Sequence, residues 1–131
     1  RQILEAAQGP DFNIPLAGSH GETGTEPKFG EDRIFFNGLG DDSHETMDIH
    51  RCEYEFYFCK TARKPYDAVC VALAIFMATC FPRHFSWHSD GDYDEVDCKL
   101  EGIRLLVATF GTIELDRENI LAAIKKKAIP A

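Results

Sequence analysis

The sequence predicts an α+β domain: an antiparallel sheet of about four strands, in the order β-β-β-α-β-α-α, with helices packed on one face. Three observations carry that expectation. His44 to Arg51 and Cys52 to Cys59 both alternate with a period of two, the signature of strands. Ala68 to Phe81 is apolar except for Thr79, which reads as a buried core helix. Finally, Val96, Leu100, Ile103, Val107 and Phe110 recur at intervals of three and four, the spacing of one helix face.

Residues 1 to 32 hold few core-forming side chains, and Gly18 to Gly30 carries four glycines and a proline. This segment is expected to be an arm or long loop, with a short helix at Gln2 to Gln8 stopped by Gly9-Pro10. The domain proper is expected over residues 33 to 131. It starts with a strand at Arg33 to Phe36, followed by the turn signal Asn37-Gly38 and a loop through Asp41-Asp42. Lys64-Pro65-Tyr66-Asp67 is a helix start and Phe81-Pro82 a stop. A fourth strand is expected at His84 to Ser89, then a turn at Ser89 to Asp92. A helix over about Tyr93 to Phe110 stops at Gly111. A last helix begins near Asp116, turns Ile120, Leu121 and Ile124 inward, and ends on Lys125-Lys126-Lys127, where cations suit the dipole.

Composition narrows the function classes. The chain has 131 residues, room for one domain and one core. Its formal net charge is −8, from 22 acidic against 14 basic residues, so the field that draws in phosphate backbones is missing and nucleic-acid binding is disfavoured. The apolar run at 68 to 81 is shorter than the roughly 20 residues of a membrane span, so no membrane association is expected. Five cysteines without a C-x-x-C pair read as free thiols of a reducing compartment, and the expected location is cytoplasmic. The first residues, Arg1-Gln2-Ile3-Leu4-Glu5, do not resemble a secretory leader.

The histidines give one candidate site. Strand parity places His84, Ser86, His88 and Asp90 on one face, opposite Phe85 and Trp87. It likewise places His44, Thr46, Asp48 and His50 opposite Met47 and Ile49. His44, His50, His84, His88 and Asp90 would then share the polar face of the sheet, a set able to bind a divalent metal ion or to serve as acid and base. The competing expectation is a solvated or partner-facing surface with no cofactor, since antiparallel sheets often keep one face wet. Phe85 and Trp87 would be buried under the central helix.

A second candidate is the basic loop Lys60-Thr61-Ala62-Arg63-Lys64, ahead of a helix N-terminus. Lys60, Arg63 and Lys64 would attract a phosphate or an acidic partner residue, or pair with Asp41-Asp42, and they would lower the pKa of the neighbouring Cys59. Asp90, Asp92, Asp94 and Glu101 match positions 1, 3, 5 and 12 of a calcium-binding loop, but Glu95 stands where that loop needs glycine. A helix N-terminus rich in carboxylates explains them better. No nucleophile elbow, phosphate-binding loop or dinucleotide fingerprint is present.

Phe58-Cys59-Lys60-Thr61-Ala62-Arg63-Lys64-Pro65-Tyr66-Asp67, with Ser89-Asp90-Gly91-Asp92 about twenty residues later, resembles small uncharacterised proteins encoded in bacterial and prophage genomes. The resemblance covers roughly residues 34 to 110 and implies no particular activity. The expected function is therefore a non-enzymatic acidic interaction protein, of accessory, inhibitor or immunity type, with a protein partner. The alternatives are a metal-binding module or metal-dependent hydrolase on the His/Asp face, and self-association through Phe35, Phe36 and the aromatic residues of Tyr54 to Phe58.

Overall fold

The computed structural model of the chain describes residues 1–50, 59–87 and 96–128. The fold is α+β, with four helices and a four-stranded antiparallel sheet among these described residues. In chain order these are α1 (Gln2–Gln8), β1 (Leu16–Ala17), β2 (Lys28–Phe29), β3 (Arg33–Gly38), β4 (Met47–His50), α2 (Asp67–Cys80), α3 (Val96–Phe110) and α4 (Arg117–Ala128). None of these helices is long and apolar enough to cross a membrane.

Among the described residues, all the strand pairing runs through β3. Leu16 and Ala17 stand opposite Gly38 and Asn37, and Lys28 and Phe29 opposite Phe35 and Ile34. Arg33, Ile34, Phe35 and Phe36 face His50, Ile49, Asp48 and Met47. This register puts Ile34, Phe36, Met47 and Ile49 on one face, where they join the hydrophobic core. Arg33, Phe35, Asp48 and His50 take the other face, so the parity expected for Asp48 and His50 against Met47 and Ile49 is observed.

One of the expected strands is replaced by a turn, and another falls outside the described residues. Cys52 to Phe58, most of the third, lies outside the described residues. At His84 to Trp87 there is no strand: after α2 the chain turns, and the His84 and Phe85 amides both donate to the Phe81 carbonyl at 3.0 Å. Those donors close the turn beyond the helix and are not offered to a sheet. Trp87, expected to be fully buried, is half-buried there. Among the described residues the sheet also contains β1 and β2, from the segment expected to be an arm. That segment contributes Ile3, Leu4, Ala7, Ile14 and Leu16 to the core.

The Asn37-Gly38 pair is also placed differently, inside β3 and not in a turn. Asn37 is fully buried and fully satisfied. Its amide nitrogen donates to the His44 carbonyl (3.0 Å) and Thr46 Oγ1 (3.2 Å), and its oxygen accepts from the Gly38 and His44 amides. One side chain thus pins the loop that follows β3.

Helix α2 begins and ends where its sequence signals place it, and it buries Ala68, Val69, Cys70, Ala72, Leu73, Ala74 and Cys80. Helix α3 crosses it with Gly102, Leu105, Leu106, Thr109 and Phe110 buried. The stripe expected for α3 is therefore rotated: Leu100 is 46% exposed, and Ile103 and Val107 are half-buried. Gly102 decides which face turns inward, because a side chain there would collide with Val71. Near the far end of the pair Phe76 stacks on Phe110 with centroids 5.9 Å apart. Helix α4 starts where Asp116 Oδ1 accepts the Asn119 amide at 2.8 Å, a side-chain cap, and it buries Ile120 with Ala123 and Ile124 packed against the core.

Candidate functional site

The polar sheet face comes from β3 and β4. Arg33 donates two hydrogen bonds to Asp48, at 2.8 and 2.6 Å, and its guanidinium carbon lies 4.7 Å from the centre of the Phe35 ring. His50 Nε2 approaches Asp48 Oδ1 at 3.2 Å. The fork from Arg33 holds the Asp48 carboxyl below the usual carboxylate range, and the proximity of His50 adds to this. Phe35 is half-buried beneath Arg33 and Phe36 is fully buried, while Tyr54 to Phe58, the rest of the surface expected for self-association, lies outside the described residues.

Of the other candidate ligands, His44 and His84 lie outside the strands. His44 lies in the loop held by Asn37, and His84 is exposed in the turn after α2. His88 and Asp90 lie outside the described residues. Among the described residues, no group of three or more His, Cys, Asp or Glu side chains is arranged to hold a metal ion.

The basic loop is built around Glu45. The Lys60 amide donates to Glu45 Oε2 at 2.6 Å, and the Glu45 amide donates back to the Lys60 carbonyl at 3.2 Å. Ala62 and Arg63 carry positive φ, 52° and 60°, which folds the loop tightly before α2. The Thr61 hydroxyl donates to Asp67 Oδ1 at 2.6 Å, placing a carboxylate in the first turn of α2. Two of the protein's own carboxylates, Glu45 and Asp67, therefore sit where an external anion was expected, while Lys60 and Arg63 are exposed and Lys64 is half-buried.

Beneath this loop lies a group that the sequence did not single out. The Tyr66 hydroxyl donates to the Glu45 carbonyl at 2.7 Å, and the Cys59 thiol donates to the same oxygen at 3.4 Å. Cys70 follows Tyr66 by one helical turn, its amide bonded to the Tyr66 carbonyl at 3.1 Å, and it is buried. The Cys70 thiol, helped by Tyr66, draws the Cys59 pKa down against the opposing effects of burial and Glu45. Lys60, Arg63 and Lys64, expected to do this, are not the cause. The Cys70 and Tyr66 pKa values are pushed up: Cys70 chiefly by its hydrogen bond to Cys59, Tyr66 chiefly by burial.

A third feature is a groove of about 440 Å³ beside α1. Leu4, Leu16, Phe29 and Leu39 line it together with Glu5, Gln8 and the segment from Thr23 to Pro27. Leu4 and Leu16 are buried at its base, and Glu5, Gln8 and Glu26 are exposed. The expected "arm" supplies nearly the whole of this wall. Compared with known proteins, the chain matches no family model, no curated protein and no solved structure.

Proposed function

We propose that the protein is a non-enzymatic interaction protein that binds a basic segment of a protein partner in the groove beside α1. The carrying observation is the combination in that groove of an apolar base, Leu4, Leu16, Phe29 and Leu39, with exposed Glu5 and Glu26. An apolar base selects an aliphatic or aromatic anchor, and carboxylates beside it select lysine or arginine flanking that anchor. The net charge of −8 extends the same preference over longer range and speeds encounter with a basic partner.

The test uses synthetic peptides carrying one Leu or Phe between lysines and arginines, titrated into isotopically labelled protein. Amide shifts are expected at Leu4, Glu5, Gln8, Thr25, Glu26 and Phe29, and affinity should fall as salt rises through the range where the Debye length shrinks from about 10 to about 3 Å. The double variant Glu5→Lys, Glu26→Lys should weaken binding by about ten-fold or more. Shifts located elsewhere, or binding indifferent to both salt and charge reversal, would reject the proposal.

A further inference from the structure

We propose that the groove beside α1 receives the lysine-rich end of α4 from a second copy of this chain. This rests on the preference of the groove for basic segments, and it names the occupant. An apolar base with carboxylates beside it selects an apolar anchor next to cations. The chain carries such a segment itself. Lys125-Lys126-Lys127 is the only run of three cations among its 14 basic residues, and Ala128-Ile129-Pro130 follows directly. The basic loop at residues 60 to 64 offers no comparable anchor, since Thr61 within it and Tyr66 just after it are buried.

Both halves of the contact are presented to solvent. On α4, Ile120 is buried and Ala123 and Ile124 pack against the core, which leaves Lys125 and Lys126 exposed. Beside the groove Glu5 and Glu26 are exposed, and the wall that carries Glu26 is fixed. The Thr25 hydroxyl accepts from the Gly18 amide at 3.1 Å and donates to the Glu22 carbonyl at 2.5 Å. Gly18 lets that wall come close, because a Cβ there would lie 2.8 Å from the Glu26 carbonyl oxygen. A rim that is held before anything binds leaves little ordering for binding to do. Among the described residues none from α4 lines the groove of its own protomer, so a second copy supplies the cations. Two copies of net charge −8 repel at a distance. At physiological ionic strength charges more than about 8 Å apart are largely screened, whereas lysine against glutamate acts at contact. When each copy gives its segment and receives the other's, the pair closes as a two-fold dimer with two equivalent contacts.

Sedimentation velocity of the unmodified chain over a wide concentration series, at about 0.15 M salt, tests this. The sedimentation coefficient should rise from that of a monomer, and the amide signals of Glu5, Gln8, Thr25, Glu26, Lys125 and Lys126 should shift with concentration in step. The double variant Glu5→Lys, Glu26→Lys and the double variant Lys125→Glu, Lys126→Glu should each weaken association by about ten-fold or more. Mixed together, these two variants oppose lysine to glutamate in both contacts, so the mixture should associate about as tightly as the wild type. A wild-type chain that is monomeric at every concentration overturns the inference without recourse to any variant. Association whose shifts lie away from the groove overturns it too, as do groove shifts that ignore concentration, the sign of a segment seated in its own groove. A mixture of the two variants, each with native circular dichroism, that stays monomeric also overturns it. Synthetic basic peptides that fill the groove of a monomeric chain would sink this inference and leave the preference of the groove standing. Peptides that leave the groove amides unmoved would sink that preference, and the inference with it.

Discussion

Replacing Gly102 by alanine puts helix propensity and packing in direct opposition. Mid-helix, alanine is favoured over glycine by about 1 kcal/mol, so intrinsic preference alone predicts a more stable protein. At Gly102 a Cβ would lie 2.6 Å from Val71 Cγ1, 2.9 Å from Val71 Cβ and 3.2 Å from the Ala68 carbonyl oxygen. Val71 cannot rotate out of the way, because a β-branched residue in a helix is held in essentially one rotamer and its Cβ is fixed by the backbone. The helices must separate, and overpacking of this kind costs about 1–3 kcal/mol. With the close atoms belonging to Cβ and to backbone, the upper part of that range applies, and the net effect is a loss of about 1–2 kcal/mol. For a chain of this length that corresponds to a fall in melting temperature of about 4–8 °C, against a rise of about 4 °C from propensity alone. Thermal melts followed by circular dichroism resolve the two signs. Adding Val71→Ala removes the nearest methyl, so Gly102→Ala should cost less in that background, with a coupling of about 1 kcal/mol. A Gly102→Ala protein that melts at or above the wild-type temperature would refute the close crossing of α2 and α3.

Two further outcomes bear on the sheet. Phe36→Ala should lose about 3–5 kcal/mol in urea unfolding, a large share of the roughly 5–15 kcal/mol available to a domain, since Phe36 is fully buried between β4 and the helices; a loss below about 1 kcal/mol would mean that β3 presents its other face to the core. Asp48 should titrate below the ordinary aspartate value of about 3.9 when followed by carboxyl-carbon NMR. Because its pKa is lowered in the folded state, its contribution is present above the unfolded value and lost as pH falls through the folded one. Arg33→Ala should move that midpoint upward, and an unshifted midpoint in the wild-type protein would show that the fork is not formed in solution.

The parts of the fold that the sequence disclosed are those marked by local chemistry. Helix α2 is bracketed by Lys64-Pro65 and Phe81-Pro82, and α4 is opened by Asp116; both bounds follow from backbone donors and acceptors that must be met within a few residues. Strands β1 and β2 have two residues each, too few for any period to be read. Their pairing depends on β3 being available, a tertiary fact. The rotated face of α3 has a similar cause. Ile103, Leu105, Leu106 and Val107 offer apolar side chains almost all the way round, so periodicity admits two stripes, and the choice falls on the side where Gly102 lets α2 come near. A reading that counts large residues overlooks the small ones that set the distance between helices.

The same distinction separates the site residues that were legible from those that were not. Parity assigned Asp48 and His50 to one face because alternation requires only that the segment be a strand. It misplaced His84, since the residues after α2 close a turn and have no strand faces to share. Glu45, Tyr66 and Cys70 left only the i, i+4 spacing of the last two as a sign, and the carbonyl that joins them to Cys59 comes from a loop 21 positions before Tyr66. Backbone acceptors carry no mark in a sequence, so a thiol site organised by one is invisible until the chain is folded. The basic loop hides its partners in the same way: its Lys60 amide donates to the Glu45 carboxylate and its Thr61 hydroxyl to Asp67, whereas in the sequence the charges of its side chains point to Asp41 and Asp42.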